Sequence, residues 1–265
     1  MTSMAPVYPC TKRQIYQQAL ALRAQGKLYN TQNADLNELF AGSIDRFCEI
    51  AYRLRGAKKI LDVGAGHGML LSLLHELGHE CCALDFADSA ANYPEIYQEK
   101  SIHFLVCNVE VDDFPFPDSS FDAVVCCQVL EHFTHSPLKA VSEILRVLKT
   151  GGMVEIDVPN AVCFRNRSRL LRGKHITYDY AQHYLYAQPV LYKGLSFFPQ
   201  RHNREFTKDE LRLLLEVGGF KNIEVDFLKS RRHRIGLEKL RAVGTIFKDV
   251  LPSLRKSLIA FAVKP

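Results

Sequence analysis

With 265 residues, 47% of them apolar, the chain is long enough to bury one large core, with or without an appended cap. Its 34 Lys and Arg against 29 Asp and Glu leave a formal charge of +5, a balance too weak to imply nucleic acid. The 8 cysteines (Cys10, Cys48, Cys81, Cys82, Cys107, Cys126, Cys127, Cys163) sit mostly in apolar runs. They form no Cys-x-x-Cys pair and have no His-x-His partner spacing, so buried reduced thiols are expected and a disulfide framework or zinc site is not. Met1 to Gln18 lacks the apolar stretch of a secretion signal, and no run approaches the ~20 apolar residues of a membrane helix. The expectation is a cytoplasmic protein without integral membrane contact.

Helical apolar spacing marks Thr11–Gln25 and Asp35–Leu54 (Leu36, Leu39, Phe40, Ile44, Phe47, Ile50, Ala51, Leu54), with Gly56 as a stop. Residues 1–56 thus read as a helical segment packing on the core. From Lys59 the period changes. Short β-rich runs at Lys59–Val63, Cys81–Phe86, Ile102–Cys107, Phe121–Gln128 and Met153–Val158 are strands, with helices at Met69–Leu77 and Leu138–Leu148 between them.

Alternating β and α elements with near-continuous apolar strands imply a parallel sheet covered on both faces, and right-handed crossovers make it doubly wound. After Pro159-Asn160, residues 160–206 show no clear strand and are rich in Arg, Tyr and His, as expected of a substrate lid or cap. Thr207, with Glu210 three residues on, opens a helix ending at Gly218-Gly219. Strands Asn222–Leu228 and Ser257–Val263 then add an antiparallel edge. Between them Lys229–Arg241 is basic (Arg231, Arg232, His233, Arg234), as suits a solvated loop or a contact with phosphate or an anionic surface.

The first strand runs into Asp62-Val63-Gly64-Ala65-Gly66-His67-Gly68, which places three alternate glycines at the carboxyl end of a central strand. Ligands of open α/β sheets sit there, and glycines let the backbone approach them closely. A dinucleotide fingerprint needs its third glycine at position 69, which is Met69. Asp85 closes the second strand, just before Phe86, where a carboxylate can accept both hydroxyls of a ribose. Asn108-Val109-Glu110 follows the third strand and leads into Phe114-Pro115-Phe116-Pro117-Asp118-Ser119-Ser120-Phe121-Asp122. Gln128-Val129-Leu130-Glu131-His132-Phe133 follows the fourth, and Leu148-Lys149-Thr150-Gly151-Gly152 precedes the fifth.

In this order the motifs resemble the class I, seven-stranded S-adenosylmethionine-dependent methyltransferases, over residues 58–160 and more loosely Phe206 to Leu228. The resemblance implies a doubly wound, mostly parallel seven-stranded sheet over 57–265. It implies S-adenosylmethionine as cofactor and S-adenosylhomocysteine as product. The residues it assigns to the cofactor are Asp62, Gly64, Ala65, Gly66, Gly68, Met69, Asp85, Phe86, Asn108, Val109, Glu110, Gln128 and Val129. Asn108 stands where the family commonly has Asp, and an amide oxygen still accepts from the adenine amino group.

His132 and His202 are the candidate general bases, since a neutral imidazole takes a hydroxyl proton near neutral pH. Each also reads as a helix-start cap. His183, Tyr178, Tyr180, Tyr184 and Tyr186 are candidates to line an acceptor pocket, or form the cap's own small core. Pro159-Asn160 and His202-Asn203-Arg204-Glu205-Phe206-Thr207 are similar to methyltransferases of glycan and natural-product sugar pathways. That likeness implies O-methylation of a small acceptor bearing sugar or phosphate, with Arg165, Arg167, Arg169 and Arg172 able to grip a phosphate. No metal is expected, since only Asp157 and Asn160 flank the end of the fifth strand. A non-catalytic methyltransferase-like scaffold and a nicotinamide oxidoreductase are the alternative classes, and the chain is read as a monomer or homodimer.

Overall fold

A computed structural model describes residues 11–24, 34–86, 89–177, 179–229 and 251–265. Two helices, α1 (Lys12–Ala24) and α2 (Ala34–Arg53), lead into strand β1 (Lys59–Val63) and helix α3 (Met69–Glu76). Strand β2 (Glu80–Asp85), short helices α4 (Ser89–Asn92) and α5 (Pro94–Tyr97), and strands β3 (His103–Val106) and β4 (Phe121–Cys127) come next. Helix α6 (Leu138–Val147) returns the chain to β5 (Leu148–Pro159). Helix α7 (Phe164–Leu171) and the hairpin β6 (Val190–Tyr192) and β7 (Leu195–Phe197) precede α8 (Lys208–Val217), β8 (Lys221–Phe227) and β9 (Ser257–Val263).

Seven strands form one sheet in the order β3-β2-β1-β4-β5-β9-β8. Strands β1 to β5 pair in parallel, and β9 runs antiparallel to both β5 and β8. The C-terminal strand is therefore the antiparallel one, but it lies one place in from the edge, which β8 occupies. Strand β9 reads Ser-Leu-Ile-Ala-Phe-Ala-Val and is buried from Leu258 to Ala262, as a strand covered on both faces must be.

The sheet separates two apolar layers. On one side Ile60, Ala123, Val125 and Phe261 pack against α1, α2 and α3 through Ile15, Leu22, Phe40, Phe47 and Leu71. On the other, Leu61, Val63, Val124, Ile156 and Ala260 pack against α6 and α8 through Val141, Ile144, Leu211 and Leu215. The apolar stripe of α2 behaves as its spacing predicts, except that Leu39 is 52% exposed. Phe40, one residue further round the helix, takes the inward position.

The stretch 160–206 is more regular than its sequence suggests. Val190 to Phe197 fold into the β6–β7 hairpin about Lys193 (φ 48°) and Gly194 (φ 78°), the two positive angles of a tight hairpin turn. Helix α8 opens on the predicted capping box, in which Thr207 Oγ1 accepts from Glu210 N at 3.3 Å and Glu210 Oε2 accepts from Thr207 N at 2.8 Å. Tyr178 and residues 230–241 of the basic segment lie outside the described residues.

Phe40 is fully buried against Phe47, with ring centroids 5.7 Å apart. Phe40→Ala is expected to lower stability by about 3–5 kcal/mol, and the neighbouring Leu39→Ala by no more than about 0.5 kcal/mol. Denaturant titration of the two variants checks the difference, and equal losses would contradict the placement of α2.

Candidate active site

The glycine loop after β1 is positioned by β2. Parallel register places Val63 beside Leu84, and the Leu84 carbonyl accepts from Gly64 N at 2.8 Å and Ala65 N at 3.1 Å. One residue on, Asp85 Oδ2 accepts from Gly66 N at 2.6 Å, while Tyr97 Oη donates to Gly66 O at 2.9 Å. The loop is thus held open from two sides by side chains of later elements. A Cβ on Gly64 would lie 2.4 Å from Val129 Cγ2, and one on Gly68 2.5 Å from Ile96 Cγ2, so both glycines are needed for packing. Gly66 differs: at φ +50° its Cβ would meet nothing within 4 Å. It faces a cleft.

That cleft encloses about 190 Å³ at the carboxyl ends of the strands. Gly64, Asp85, Phe86, Asn108, Val109, Glu110, Gln128 and Val129 line it together with His132. Met69 does not: its side chain is turned into the core beneath α3, because a helix-start residue on the sheet side packs inward. Ala65 packs against the same core.

The wall formed by Asn108, Val109 and Glu110 is held by partners far along the chain. Asn108 Oδ1 accepts from Glu110 N at 3.2 Å, and Asn108 Nδ2 is buried without a partner. Glu110 Oε1 accepts from the His135 backbone amide and faces His135 Nδ1 at 2.7 Å. The Pro-rich turn beyond it is clamped by α6: Glu143 Oε2 accepts from Phe114 N at 2.7 Å, and Arg146 donates to the carbonyls of Phe114 and Phe116. Across the mouth, Asp112 accepts from Tyr192 Oη at 2.5 Å and from Lys193 Nζ at 2.8 Å. This fastens the β6–β7 hairpin beside the cleft, where Phe86, Tyr192 and Phe197 meet ring to ring.

Beneath the loop the sheet carries buried charge. Asp62, Glu155 and Asp157 are each no more than 3% exposed, all on the face covered by α2. Arg46 of α2 reaches Asp157 Oδ1 at 3.1 Å, and Gln128 Nε2 donates to the same oxygen at 2.5 Å. Gln128 takes φ +56° at the end of β4, a conformation few non-glycine residues adopt. Burial, then the nearby Asp85 and Asp157 carboxylates, pushes Asp62 up to about 8. Burial and Asp157 raise Glu155 well above the carboxylate range. Asp62 Oδ1, Glu155 Oε1 and Asp157 Oδ2 have no hydrogen-bond partner.

His132 and His202, 70 positions apart in sequence, meet with ring centroids 4.9 Å apart at 86°. The connection is made by backbone. Asn203 N and Arg204 N both donate to Glu131 O, at 2.7 and 3.2 Å, and His132 Nδ1 lies 3.1 Å from Arg201 O. Burial, then the neighbouring His202, lowers the His132 pKa, so its imidazole is neutral at pH 7. His132 lines the loop-side cleft, whereas His202 lines a second cavity of about 410 Å³ with Arg165, His183 and Tyr184. The two cavities therefore adjoin at the histidine pair.

Arg167, Arg169 and Arg172 instead donate to backbone carbonyls of Val162, His175 and Ser168, and so hold the cap together. Tyr180 and Tyr184 stack with ring centroids 5.8 Å apart at the cap surface, where Tyr180 is exposed. Sequence reasoning did not single out Arg46, Phe197, Pro199 or the side chain of Glu131. Only Phe197 had a signal, in the β-rich residues flanking Lys193-Gly194.

Residues 61–156 match the methyltransferase domain family. A probable S-adenosylmethionine-dependent methyltransferase from Mycolicibacterium smegmatis is 28% identical over 198 residues, covering 73% of this chain and 62% of that protein. A ubiquinone biosynthesis O-methyltransferase from Xanthomonas oryzae is 34% identical over 115 residues, 40% of this chain and 45% of that protein. The chain thus spans less than two thirds of the length of these curated relatives. Among solved structures, a SAM-dependent methyltransferase from Archaeoglobus fulgidus superposes with a TM-score of 0.53 at 17% identity, covering 86% of this chain and 99% of that one. The glycine loop, the acid one strand over and the sheet order all fall inside this shared architecture, and residues 61–156 belong to the methyltransferase domain family, in a chain with the class I S-adenosylmethionine-dependent methyltransferase fold.

Proposed function

We propose that this chain transfers a methyl group from S-adenosylmethionine to a small-molecule acceptor, most specifically to a hydroxyl of a sugar-like or phosphate-bearing precursor. The observation that carries the donor assignment is the open space at Gly66 beside two acids, the cleft-lining Asp85 and the buried Asp62. Gly66 leaves room that a Cβ would fill, Asp85 holds its amide, and Asp62 is buried with an unpartnered oxygen. A donor with an ammonium and a sulfonium brings positive charge to these carboxyl groups, and burial makes that attraction strong. When bound, the donor supplies a methyl carbon that takes the acceptor's lone pair while the C–S bonding electrons return to sulfur.

The chain's own residues then act chiefly by placement. Alignment of two bound reactants contributes on the order of 7–11 kcal/mol in favourable cases, far more than a single base. Gly64, Gly66 and Asp85 seat the donor, and Asn108, Val109 and Glu110 form the wall for its adenine. The acceptor enters from the cap cavity, so that its reacting oxygen lies at the His132–His202 junction, where either imidazole is placed to act on the hydroxyl proton. Arg165 is the cap arginine positioned for an anionic group on the acceptor. The O-methyltransferase named among the relatives supports oxygen as the reacting atom.

Calorimetry with S-adenosylmethionine and S-adenosylhomocysteine tests the donor, and labelled-methyl transfer over a panel of hydroxyl acceptors tests the reaction. Asp85→Ala removes a charged hydrogen-bond acceptor and is expected to weaken donor binding by about ten- to a hundredfold. Gly66→Ala is expected to do the same while costing only about 1 kcal/mol of stability for its positive φ. Absence of heat from either ligand in the wild type would end the reading.

Asp62 gives a prediction with a definite sign. Its carboxyl titrates near 3.8 when unfolded and at about 8 when folded, so the unfolded chain loses this proton first as pH rises. The folded state therefore loses stability through that window, and an asparagine escapes the loss. Melting of the unliganded protein should show Asp62→Asn gaining on the wild type between about pH 4 and about pH 8. Its donor affinity should fall. A variant whose relative stability does not change with pH would show that Asp62 is ionised in the fold.

A further inference from the structure

Glu131, His132 and His202 each offer a ligand atom, and these atoms lie within 4.8 Å of one another. Two of the three sit on consecutive residues at the end of β4, and the third comes from the cap segment that hydrogen-bonds to Glu131 O. His132 points Nδ1 toward Arg201 O, which leaves Nε2 for another partner. This is the arrangement in which a carbonyl on one ring nitrogen orients the other toward a metal. His202 Nδ1 stands 3.7 Å from Glu205 Oε1, near that carboxylate but beyond hydrogen-bond distance.

Glu131 supplies an independent sign. It is 1% exposed, yet its Oε2 has no hydrogen-bond partner. A carboxylate so placed needs positive charge beside it, and among the described residues no cationic side chain donates a hydrogen bond to that oxygen. Its two neighbours in the cluster are imidazoles, which offer that charge only through what they bind or protonate.

We infer that Glu131, His132 and His202 form a binding site for a divalent transition-metal cation at the junction of the two cavities. Two imidazoles and one carboxylate suit zinc and its neighbours in the first transition row, and they leave a further coordination position for an exogenous oxygen. Small side-chain rotations bring ligand atoms at this spacing to the ~2.0–2.2 Å distances such ions require. The open position faces the point where the cap cavity meets the loop-side cleft. On the methyl-transfer reading, on which this role rests, the bound cation replaces direct proton abstraction by the imidazoles: it holds the acceptor's hydroxyl oxygen and eases loss of its proton to solvent. The binding itself does not depend on that reading.

A second cluster, Cys127, Glu155 and Asp157, also brings three potential ligand atoms within 4.8 Å. It already holds the Arg46 guanidinium, which disfavours a divalent ion. The experiment separates the two. Full-length protein stripped with a chelator is titrated with Zn²⁺ by calorimetry and with Co²⁺ by visible absorption. One equivalent is expected to bind, with the absorption of histidine-coordinated Co²⁺.

Glu131→Gln and His202→Gln should each weaken binding by about tenfold or more, whereas Cys127→Ser and the exposed-strand control His103→Ala should leave it unchanged. Donor affinity measured on the same preparations verifies that the variants are folded. No binding of either ion, binding unaltered by Glu131→Gln and His202→Gln, or loss in Cys127→Ser instead would each overturn the assignment. Zinc binding in a protein that gives no heat with S-adenosylmethionine would uphold the site and sink the methyl-transfer reading.

Discussion

The hydrogen bond from Gly66 N to Asp85 Oδ2 ties the rest of the site together. It exists because β1 and β2 are parallel neighbours in a register that brings Val63 beside Leu84. The strand that ends in a glycine loop and the strand that ends in an acid therefore finish at the same level. Every other wall of the cleft is built on strands whose carboxyl ends share that level. Asp85 thus shapes the loop and lines the cleft, and on the proposed reading it also meets the donor's nucleoside. A shift of one residue in the β1–β2 register would turn Asp85 to the opposite face, since successive side chains alternate across a sheet.

A cluster of buried carboxyl groups is the second constraint, and it explains features that packing does not. Asp62, Glu155 and Asp157 lie under α2 with Arg46 as their cationic neighbour, and three of their oxygens have no hydrogen-bond partner. Filling those positions with apolar residues would remove a large desolvation penalty, at the cost of the hydrogen bonds that Asp157 accepts from Arg46 and Gln128. On the proposed reading, their presence gives up stability for affinity toward a cationic donor. Gln128 belongs to the same account. Its left-handed backbone is held by its amide donating to Asp157 O and its side chain donating to Asp157 Oδ1.

The sequence disclosed the parts of this arrangement that depend on short range. Asp62 to Gly68, Asp85 and Asn108 to Glu110 each sit within a few residues of a strand end, and alternation of apolar strands and helices was enough to place those ends on one edge. The capping box at Thr207 was legible for the same reason. Contacts across long separations were not. Arg46 meets Asp157 across 111 positions, and Tyr192 meets Asp112 across 80. Nothing in the local pattern of either partner announces the other. Met69 shows the opposite failure: its place beside the glycine loop suggested the cofactor, but the first turn of α3 directs its side chain into the core.

The cap joins the two constraints. Hairpin β6–β7 is fixed beside the cleft wall of residues 108–110 through Asp112, and residues 201–204 are fixed to the β4 end through the carbonyls of Glu131 and His132. Both attachments end on elements that line the cleft. Displacing the hairpin would leave Asp112 without its partners and uncover Phe86, while displacing residues 201–204 would part His202 from His132. Any molecule that bridges the two histidines therefore favours the docked cap by its differential affinity for that state. On the metal-site proposal, docking of residues 201–204 and occupancy of the space between Glu131, His132 and His202 would therefore be linked.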